Sequence, residues 1–205
     1  MNITHANWPQ FLYSNSEKEH AILEIGSRNV TGFDHRAGFA QSDYTGFDIH
    51  AGKNVDVVGD AHELSKYFTD KKFDLVFSAS TFEHLAMPWV VAAEINKVLK
   101  PGGVVFVETH FAYGLHSLPW HFFHFTEQGL RALFAATGFK CIETAMSNPI
   151  KARFADNADN YLAGQKIESM FCHVAYMGCK VYDITQMDWS SVSVEKITGN
   201  TMYPI

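Results

Sequence analysis

Acidic and small residues follow short apolar runs in this 205-residue chain, at positions where they could contact a ligand. Glu24, Gly26 and Ser27 lie at the end of the run at residues 20–26, and Asp48 stands 22 residues after Gly26. A carboxylate at that position can accept hydrogen bonds from both hydroxyls of a ribose, as it does in nucleoside-binding sheets. This arrangement predicts a site for a nucleoside-like ligand.

The glycine pattern that binds the pyrophosphate of a dinucleotide is absent. Gly26 is followed by Ser27, Arg28 and Asn29, so G-x-G-x-x-G does not occur, and the sequence has no G-K-[ST] phosphate loop. A ribose-binding acid without a pyrophosphate loop favours a nucleoside-like cofactor over a dinucleotide. An NAD-dependent oxidoreductase stays open as an alternative, because such enzymes share the same kind of fold.

Histidines are concentrated in the segment from residue 110 to residue 124. This segment holds four of the chain's 11 histidines, His110, His116, His121 and His124, among aromatic residues that include Trp120. Imidazole has a pKa suited to accepting the proton of a hydroxyl group near neutral pH. We therefore expect His116 and His121 to be catalytic, with His84 as a third candidate, and His124 to be structural.

Packing and metal binding are alternative roles for these histidines. A histidine in an aromatic loop is more often a hydrogen-bonded packing residue than a base. Neutral imidazoles also bind zinc, but the spacings of 6, 5 and 3 residues match no common structural zinc pattern, and the cysteines are distant. We therefore predict no bound metal. The aromatic residues could form a cation–π surface, a platform for sugars, or core beneath the loop.

These candidate residues need a scaffold of alternating strands and helices. Short β-type runs occupy residues 20–26, 44–48, 55–58, 73–78 and 103–108, and later strands are expected near 139–144 and 171–181. Helical periodicity follows Pro88 and Thr126. This alternation predicts an α/β fold, a parallel sheet covered by helices on both faces, with ligands bound beyond the carboxyl ends of the strands.

Composition excludes several classes of protein. The net charge is −6 and no basic stripe is visible, which argues against a nucleic-acid partner. The longest apolar stretches are only a few residues, far below the roughly 20 needed for a membrane span. With three cysteines, no C-x-x-C and no signal-peptide pattern at the N-terminus, we expect a cytoplasmic protein.

Six motifs in order resemble the class I S-adenosylmethionine-dependent methyltransferases, specifically the type 11 group. They are Leu23-Glu24-Ile25-Gly26-Ser27, Tyr44-Thr45-Gly46-Phe47-Asp48-Ile49, Gly59-Asp60-Ala61-His62-Glu63-Leu64, Phe73-Asp74-Leu75-Val76, Phe82-Glu83-His84-Leu85 and Val98-Leu99-Lys100-Pro101-Gly102-Gly103. The resemblance covers about residues 20–145. It implies a Rossmann-like three-layer sandwich with a mostly parallel sheet and an antiparallel strand near the C-terminus.

The resemblance also implies the cofactor and its contacts. The cofactor would be S-adenosyl-L-methionine, released as S-adenosyl-L-homocysteine. The implied contacts are Glu24, Gly26 and Ser27 at the methionine and ribose end, Asp48 on the ribose, Ile49, Asp60 and Ala61 around the adenine, and Ser78 closing the pocket. The first loop departs from the usual E-x-G-x-G-x-G, since Ser27, Arg28 and Asn29 replace the tighter glycines.

The histidine segment resembles a stretch of the same family that reads H-x-x-P-x-D-[YF]-[FW]-R-F-T. That stretch is typical of methyltransferases associated with sugar or polysaccharide synthesis, so it implies a small, sugar-like hydroxyl acceptor. His121 stands at the usual Asp and His124 at the usual Arg, and both exchanges remove a charge at neutral pH. Because of them, a non-catalytic cofactor-binding or partner-binding subunit stays open as the alternative function.

We expect one methyltransferase domain over residues 1–205. Within it we predict an N-terminal helical segment at 1–19, a loop or lid at 146–170 around a polar stretch, and a C-terminal tail at 183–205. The tail could close over the site or pack on a second subunit, so a homodimer is an open expectation.

Overall fold

A seven-stranded sheet forms the centre of the computed structural model, which describes residues 3–16 and 20–193. The strands are β1 (Ala21–Ile25), β2 (Asp43–Asp48), β3 (Val57–Val58), β4 (Phe73–Ala79), β5 (Leu99–His110), β6 (Phe139–Arg153) and β7 (Lys166–Lys180). Their spatial order is β3-β2-β1-β4-β5-β7-β6. The first five strands are parallel, whereas β7 runs antiparallel to both β5 and β6. The mostly parallel sheet with antiparallel C-terminal strands is confirmed.

In the described part of the chain, four α-helices cover the sheet: α1 (Trp8–Asn15), α2 (Leu64–Tyr67), α3 (Pro88–Val98) and α4 (Glu127–Ala136). Helix α3 starts at Pro88, as predicted, because proline suits the first helical turn, where no backbone donor is needed. Thr126 caps α4, since its Oγ1 accepts a hydrogen bond from the backbone N–H of Gly129 at 3.0 Å. Both predicted helices are therefore present.

Neighbouring residues of the central strands pack into two separate cores. Leu23 of β1 and Val76 of β4 belong to the core beneath α3 and α4. Ile22 and Phe77 belong to the other core, together with Trp8 of α1. This alternation follows from the two-residue period of a strand, and it is why apolar residues dominate both faces of the central strands. The result is the three-layer α/β sandwich.

The predicted loop at residues 146–170 is much shorter in the structure. Strand β6 continues to Arg153 and pairs with β7 from Lys166, so the connecting loop covers only residues 154–165. Pairing between β5 and β7 ends at His110 and His173, and the rest of the hairpin projects beyond the sheet. The sequence predicts the inner parts of both strands, near 139–144 and 171–181, but not the outer part, where neither face is covered by a core and no apolar alternation is required.

The two ends of the chain are only partly described. Helix α1 lies within the predicted N-terminal helical segment. The predicted tail is described as far as residue 193, and its remainder lies outside the described residues. In that tail the backbone N–H of Ile184 donates to Oδ1 of Asn96 at 3.1 Å. Over residues 3–16 and 20–193, no helix combines the length and the apolar character that crossing a membrane requires.

Candidate active site

A cavity of about 240 Å³ opens at the carboxyl ends of β1, β2 and β4. Most of its surface is apolar, with carboxylates at its edge. Six of the residues singled out in the sequence line it: Gly26, Asp48, Ile49, Asp60, Ala61 and His84. Its position at the ends of parallel strands is the one expected for a ligand site in such a sheet.

Gly26 forms the tight turn that ends β1. Its φ is +83°, and a Cβ added there would lie 2.0 Å from Oγ1 of Thr81. The backbone N–H groups of Gly26 and Ser27 both donate to the carbonyl oxygen of Phe47, at 2.8 and 3.1 Å. The first loop therefore needs its glycine at this one residue, and the absence of the later family glycines does not prevent the close turn.

The Asp48 carboxylate is held in place at the end of β2. Its Oδ1 accepts a hydrogen bond from the backbone N–H of His50 at 2.8 Å, and its Oδ2 accepts one from the backbone N–H of Arg28 at 3.3 Å. Nε of Arg28 lies 3.7 Å from Oδ1. These contacts leave lone pairs on both oxygens, so the carboxylate can still accept hydrogen bonds from the two hydroxyls of a ribose.

The other end of the cavity is apolar, with Asp60 at its rim. Ile49, Ala61 and Leu85 line it. Oδ1 of Asp60 accepts a hydrogen bond from the backbone N–H of His62 at 2.9 Å and lies 2.6 Å from Nδ1 of the same residue. Although partial burial opposes the effect, these contacts with His62 hold the pKa of Asp60 below its usual value. The geometry suits a flat apolar ring with polar edges.

Three residues predicted to contact the cofactor do not line the cavity. Glu24 is buried behind it and accepts a hydrogen bond from the hydroxyl of Tyr44. Burial raises the pKa of Glu24 to about 7, although the Tyr44 hydrogen bond opposes the shift. Ser78 donates its hydroxyl proton to the carbonyl oxygen of Ile25 at 2.9 Å. Ser27 is 4% exposed, and its Oγ has no hydrogen-bond partner among the described residues.

The structure brings the three candidate catalytic histidines together beside the cavity. His84 lines it, and the centre of the His84 ring lies 4.8 Å from that of His116 and 5.7 Å from that of His121. The rings of His116 and His121 are 4.5 Å apart. His116 and His121 belong to the same loop after β5, whereas His84 comes from the segment after β4.

Hydrogen bonds to the backbone assign the tautomers of these rings. Nδ1 of His84 lies 2.6 Å from the carbonyl oxygen of Trp120, and Nδ1 of His116 lies 3.0 Å from that of Gly114. A carbonyl can only accept, so each Nδ1 carries the proton and each Nε2 keeps its lone pair in the neutral ring. Both histidines therefore have an Nε2 atom free to act as a base.

His121 has the opposite arrangement. Its Nδ1 accepts a hydrogen bond from the backbone N–H of His116 at 3.3 Å, which places the ring proton on Nε2. That Nε2 is buried and has no hydrogen-bond partner in the part of the chain that is described. Desolvation, together with the neighbouring His116 and His124, lowers the pKa of His121. It is therefore better placed to donate a hydrogen bond than to accept a proton.

Glu83 is a functional candidate that the reasoning from sequence missed. It is fully buried, and its Oε2 accepts a hydrogen bond from Oγ1 of Thr109 at 2.7 Å. Its Oε1 lies 2.8 Å from Nδ1 of His110 and 3.9 Å from Nε2 of His84. Burial alone would raise the pKa of Glu83, but His110 and Thr109 outweigh it and hold the pKa below its usual value. A negative charge therefore lies beneath the histidines.

Backbone hydrogen bonds attach the aromatic loop after β5 to Glu83. The N–H groups of Phe122 and Phe123 donate to the carbonyl oxygen of Glu83 at 2.8 and 3.2 Å. Phe122 and Trp120 line the cavity and are 45% and 49% exposed, whereas Phe125 is part of the core. The aromatic segment thus supplies both a surface beside the site and core beneath the loop. Further lining residues that were not predicted are Phe47, Gly59, His62, Thr81, Leu85 and Ala86.

Comparison with known sequences identifies the domain type. Residues 18–107 match the sequence model of the family described as "Methyltransferase domain". A search of curated proteins found no match.

Solved structures with the same fold extend over most of the chain. A Burkholderia thailandensis 1,6-didemethyltoxoflavin-N1-methyltransferase with bound 1,6-didemethyltoxoflavin and S-adenosylhomocysteine gives a TM-score of 0.60 at 15% identity, covering 85% of this chain and 76% of that one. The YcgJ protein of Bacillus subtilis gives a TM-score of 0.59 at 17% identity, and the match covers 87% of this chain and 100% of that one. A putative methyltransferase in complex with the Haloferax volcanii Trm112 activator gives 0.56 at 17% identity, covering 86% and 91%.

Proposed function

We propose that this chain is a class I S-adenosylmethionine-dependent methyltransferase and that it methylates a hydroxyl group of a small, sugar-like molecule. The observation that carries the proposal is the position of His84 and His116. Their unprotonated Nε2 atoms lie beside the cavity in which the cofactor would bind. An acceptor placed there would have a proton acceptor next to its hydroxyl group.

The residues present fit the cofactor of this family. Gly26 lines the cavity at a tight turn that its φ of +83° allows, and the fixed Asp48 carboxylate can bind the ribose hydroxyls. Ile49 and Ala61 would contact the adenine, with Asp60 at its polar edge. Bound S-adenosylmethionine would supply an electrophilic methyl group on its sulfonium sulfur.

Glu24, Ser27 and Ser78 would support the cofactor site from behind. The Ser78 hydroxyl holds the end of β1 through the carbonyl oxygen of Ile25, and Ser27 lies directly after the Gly26 turn. Glu24 keeps β1 and β2 together through Tyr44. We assign these three residues to positioning the first loop.

His116 is assigned as the group that accepts the proton. The hydroxyl group of the acceptor would lose its proton as its oxygen receives the methyl group that bound S-adenosylmethionine would supply. The hydroxyl proton then passes to Nε2 of His116, whose ring is held through its Nδ1 contact with Gly114. Trp120 and Phe122 offer exposed aromatic faces on which a sugar ring can stack.

Cofactor binding is tested by titration calorimetry with S-adenosylmethionine, S-adenosylhomocysteine and NAD. We expect both adenosyl compounds to bind and Asp48→Asn to weaken them by about tenfold to a hundredfold, the value of charge-assisted hydrogen bonds. Binding of NAD without binding of either adenosyl compound would refute the proposal.

The proton acceptor is tested by release of S-adenosylhomocysteine with a panel of monosaccharides, nucleotide sugars and amines. We expect turnover with a hydroxyl acceptor and a loss of roughly 100-fold or more in kcat for His116→Ala, with cofactor affinity retained. His50→Ala, at an exposed histidine whose ring stacks on that of Trp120 with 5.9 Å between their centres, is the matched control. Normal turnover by His116→Ala excludes it as the base.

A non-catalytic subunit with the same fold is the second candidate. The altered first loop and the replacement of the family's usual Asp and Arg by His121 and His124 favour it, because both replacements remove a charge at neutral pH. Tight cofactor binding without turnover on any acceptor of the panel would support this candidate over the first.

A further inference from the structure

We propose that Glu83, His84 and His116 form a binding site for one divalent transition-metal ion of the zinc type. The inference does not depend on the proposed methyl acceptor. One ligand atom from each of the three residues lies within 4.8 Å of the other two. Two imidazole nitrogens and a carboxylate oxygen are a common ligand set of zinc sites that keep one coordination position open.

The distances require only small side-chain movements. Nε2 of His84 is 3.9 Å from Oε1 of Glu83. Ligand atoms around a tetrahedral zinc ion, each about 2.0–2.2 Å from the metal, are roughly 3.3 Å apart. Shortening the distance between His84 Nε2 and Glu83 Oε1 by about 0.6 Å would therefore bring this pair to the spacing of zinc ligands.

The ring orientations point to metal ligation more specifically than proximity does. In both histidines Nδ1 donates its proton to a backbone carbonyl, of Trp120 for His84 and of Gly114 for His116. This outer contact is the one that fixes the tautomer of metal-ligating histidines. It leaves the unprotonated Nε2 of the neutral His84 ring 3.9 Å from Oε1 of Glu83, a separation that a cation bound to both atoms would bridge.

Glu83 provides an independent observation. Its side chain is fully buried, and its Oε1 has no well-aligned hydrogen bond from any described residue. Nδ1 of His110 lies 2.8 Å from this oxygen and helps to keep the carboxylate ionised, although the ring N–H is poorly aligned for a hydrogen bond. Because a buried carboxylate oxygen without a directed donor is costly, Oε1 is available to a cation.

The fold assembles this site from two loops, which explains why histidine spacing did not reveal it. Glu83 and His84 follow β4, whereas His116 follows β5. Spacings within the segment from 110 to 124 contain only one of the three ligands. The open coordination position would face the cavity, since His84 lines it.

A second group of candidate ligands lies nearby around His173, and it is the natural control. His173 can be grouped with His5 and Glu108, or with His110 and Cys172. In the first grouping Nδ1 of His5 already lies 3.0 Å from both carboxylate oxygens of Glu108. That ring atom of a candidate ligand is already engaged by Glu108, whereas the Nδ1 contacts of His84 and His116 leave their Nε2 atoms for an ion, so we assign the ion to the Glu83 site.

The test is metal binding to the full chain without a histidine tag, after chelator treatment and in the absence of cofactor and acceptor. Co²⁺ is followed by visible absorption and Zn²⁺ by calorimetry. We expect one equivalent of each to bind, with visible bands typical of low coordination. His84→Gln and His116→Gln should each weaken binding by at least about tenfold, whereas His173→Gln and His50→Gln should not.

Several results would overturn the assignment. Absence of Co²⁺ and Zn²⁺ binding to the wild-type chain does so, and so does loss of binding in His173→Gln with retention in His84→Gln. Circular dichroism and the thermal midpoint of each variant show that it is folded. Because S-adenosylmethionine binding is measured separately, failure of the metal site and failure of the proposed function are distinguishable.

Discussion

Gly26 is the residue whose side chain, or lack of one, most directly shapes the cofactor cavity. An alanine there would have to keep the backbone φ of +83°, and its Cβ would lie 2.0 Å from Oγ1 of Thr81. We expect Gly26→Ala to lower the free energy of unfolding by roughly 2–4 kcal/mol, the sum of left-handed backbone strain and overpacking, and to weaken S-adenosylmethionine binding. Urea unfolding and calorimetry measure the two effects.

Gly32 provides a matched control for the clash at Gly26. Its φ is +88°, but no atom of the described chain lies within 4 Å of an added Cβ. Gly32→Ala should therefore cost only the backbone strain, about 1–2 kcal/mol, without affecting the cofactor. Equal losses of stability in the two variants would show that the contact with Thr81 is unimportant.

Glu24 makes stability depend on pH. Burial raises its pKa to about 7 in the folded chain from an ordinary value of 4.5, and Tyr44, Asp34, Arg36 and Asp48 also act on it. As pH rises from 4.5 to 7 the unfolded chain loses this proton first, so the folded state becomes relatively less stable. We expect a loss of roughly 1–3 kcal/mol across this window, and Glu24→Gln should remove it.

The measurement is urea unfolding of wild type and Glu24→Gln at about pH 5, 6, 7 and 8, on both sides of the folded-state pKa. The variant should gain stability relative to wild type as pH rises. A difference that does not change with pH would mean that Glu24 is already ionised in the folded chain at the lowest pH, contrary to the effect of its burial.

Individual residues could be predicted from sequence where a strand end determines their position. Asp48, Ile49, Asp60 and Ala61 line the cavity because each follows a strand of the parallel sheet. Glu83 could not be predicted, since its burial depends on a loop some 40 residues later that packs onto its backbone. Long-range packing of this kind leaves no local pattern.

At the scale of elements, the β6–β7 hairpin is the part most separate from the cavity. Its outer strands pair only with each other, through contacts such as Ile150 with Met170. We expect replacement of residues 151–169 by an Asn-Gly turn to leave S-adenosylmethionine affinity within about twofold, because no residue of this segment lines the cavity. Calorimetry of the shortened chain is the measurement.

A loss of cofactor affinity in that shortened chain would show that the hairpin supports the cavity through the sheet. The melting temperature separates this outcome from general unfolding. The control is a change within the hairpin that keeps its length. Substitution of Arg153 and Asp156, two exposed residues of the hairpin that pair at 3.0 Å, is such a change. Shortening the loop after β5 is unsuitable as a control, because that loop lines the site.

The elements differ in how far sequence determines them. Strands β1, β4 and β5 are apolar because both sheet faces are covered, so their positions were clear. The outer half of the hairpin has no covered face, and its residues are selected for pairing and solubility. Its extent therefore could not be predicted from hydrophobic pattern.

At the scale of the whole molecule, the metal site and the methyl-transfer site share His116. An ion on its Nε2 and the proton of an acceptor cannot occupy the same lone pair. We expect one equivalent of Zn²⁺ to lower the rate of S-adenosylhomocysteine release by about tenfold or more, and a chelator to restore it. The rate is measured with the best hydroxyl acceptor found.

The control for zinc inhibition is cofactor affinity measured with and without the ion. It should be unchanged, because Gly26, Asp48 and Asp60 bind no metal in this assignment. Stimulation of turnover by Zn²⁺ would contradict competition and would instead make the ion an activator of the acceptor hydroxyl.

The attachment of the aromatic loop to Glu83 and His84 has a consequence for the order of events in a reaction cycle. Phe122, Phe123 and His84 contribute three hydrogen bonds to this attachment, whereas Ile49, which we propose to contact the adenine, is 52% exposed. In the proposed binding mode, spent cofactor would leave past Ile49 without breaking those bonds. The acceptor half of the site would stay assembled between turnovers, so nucleoside exchange and loop rearrangement would be kinetically independent steps.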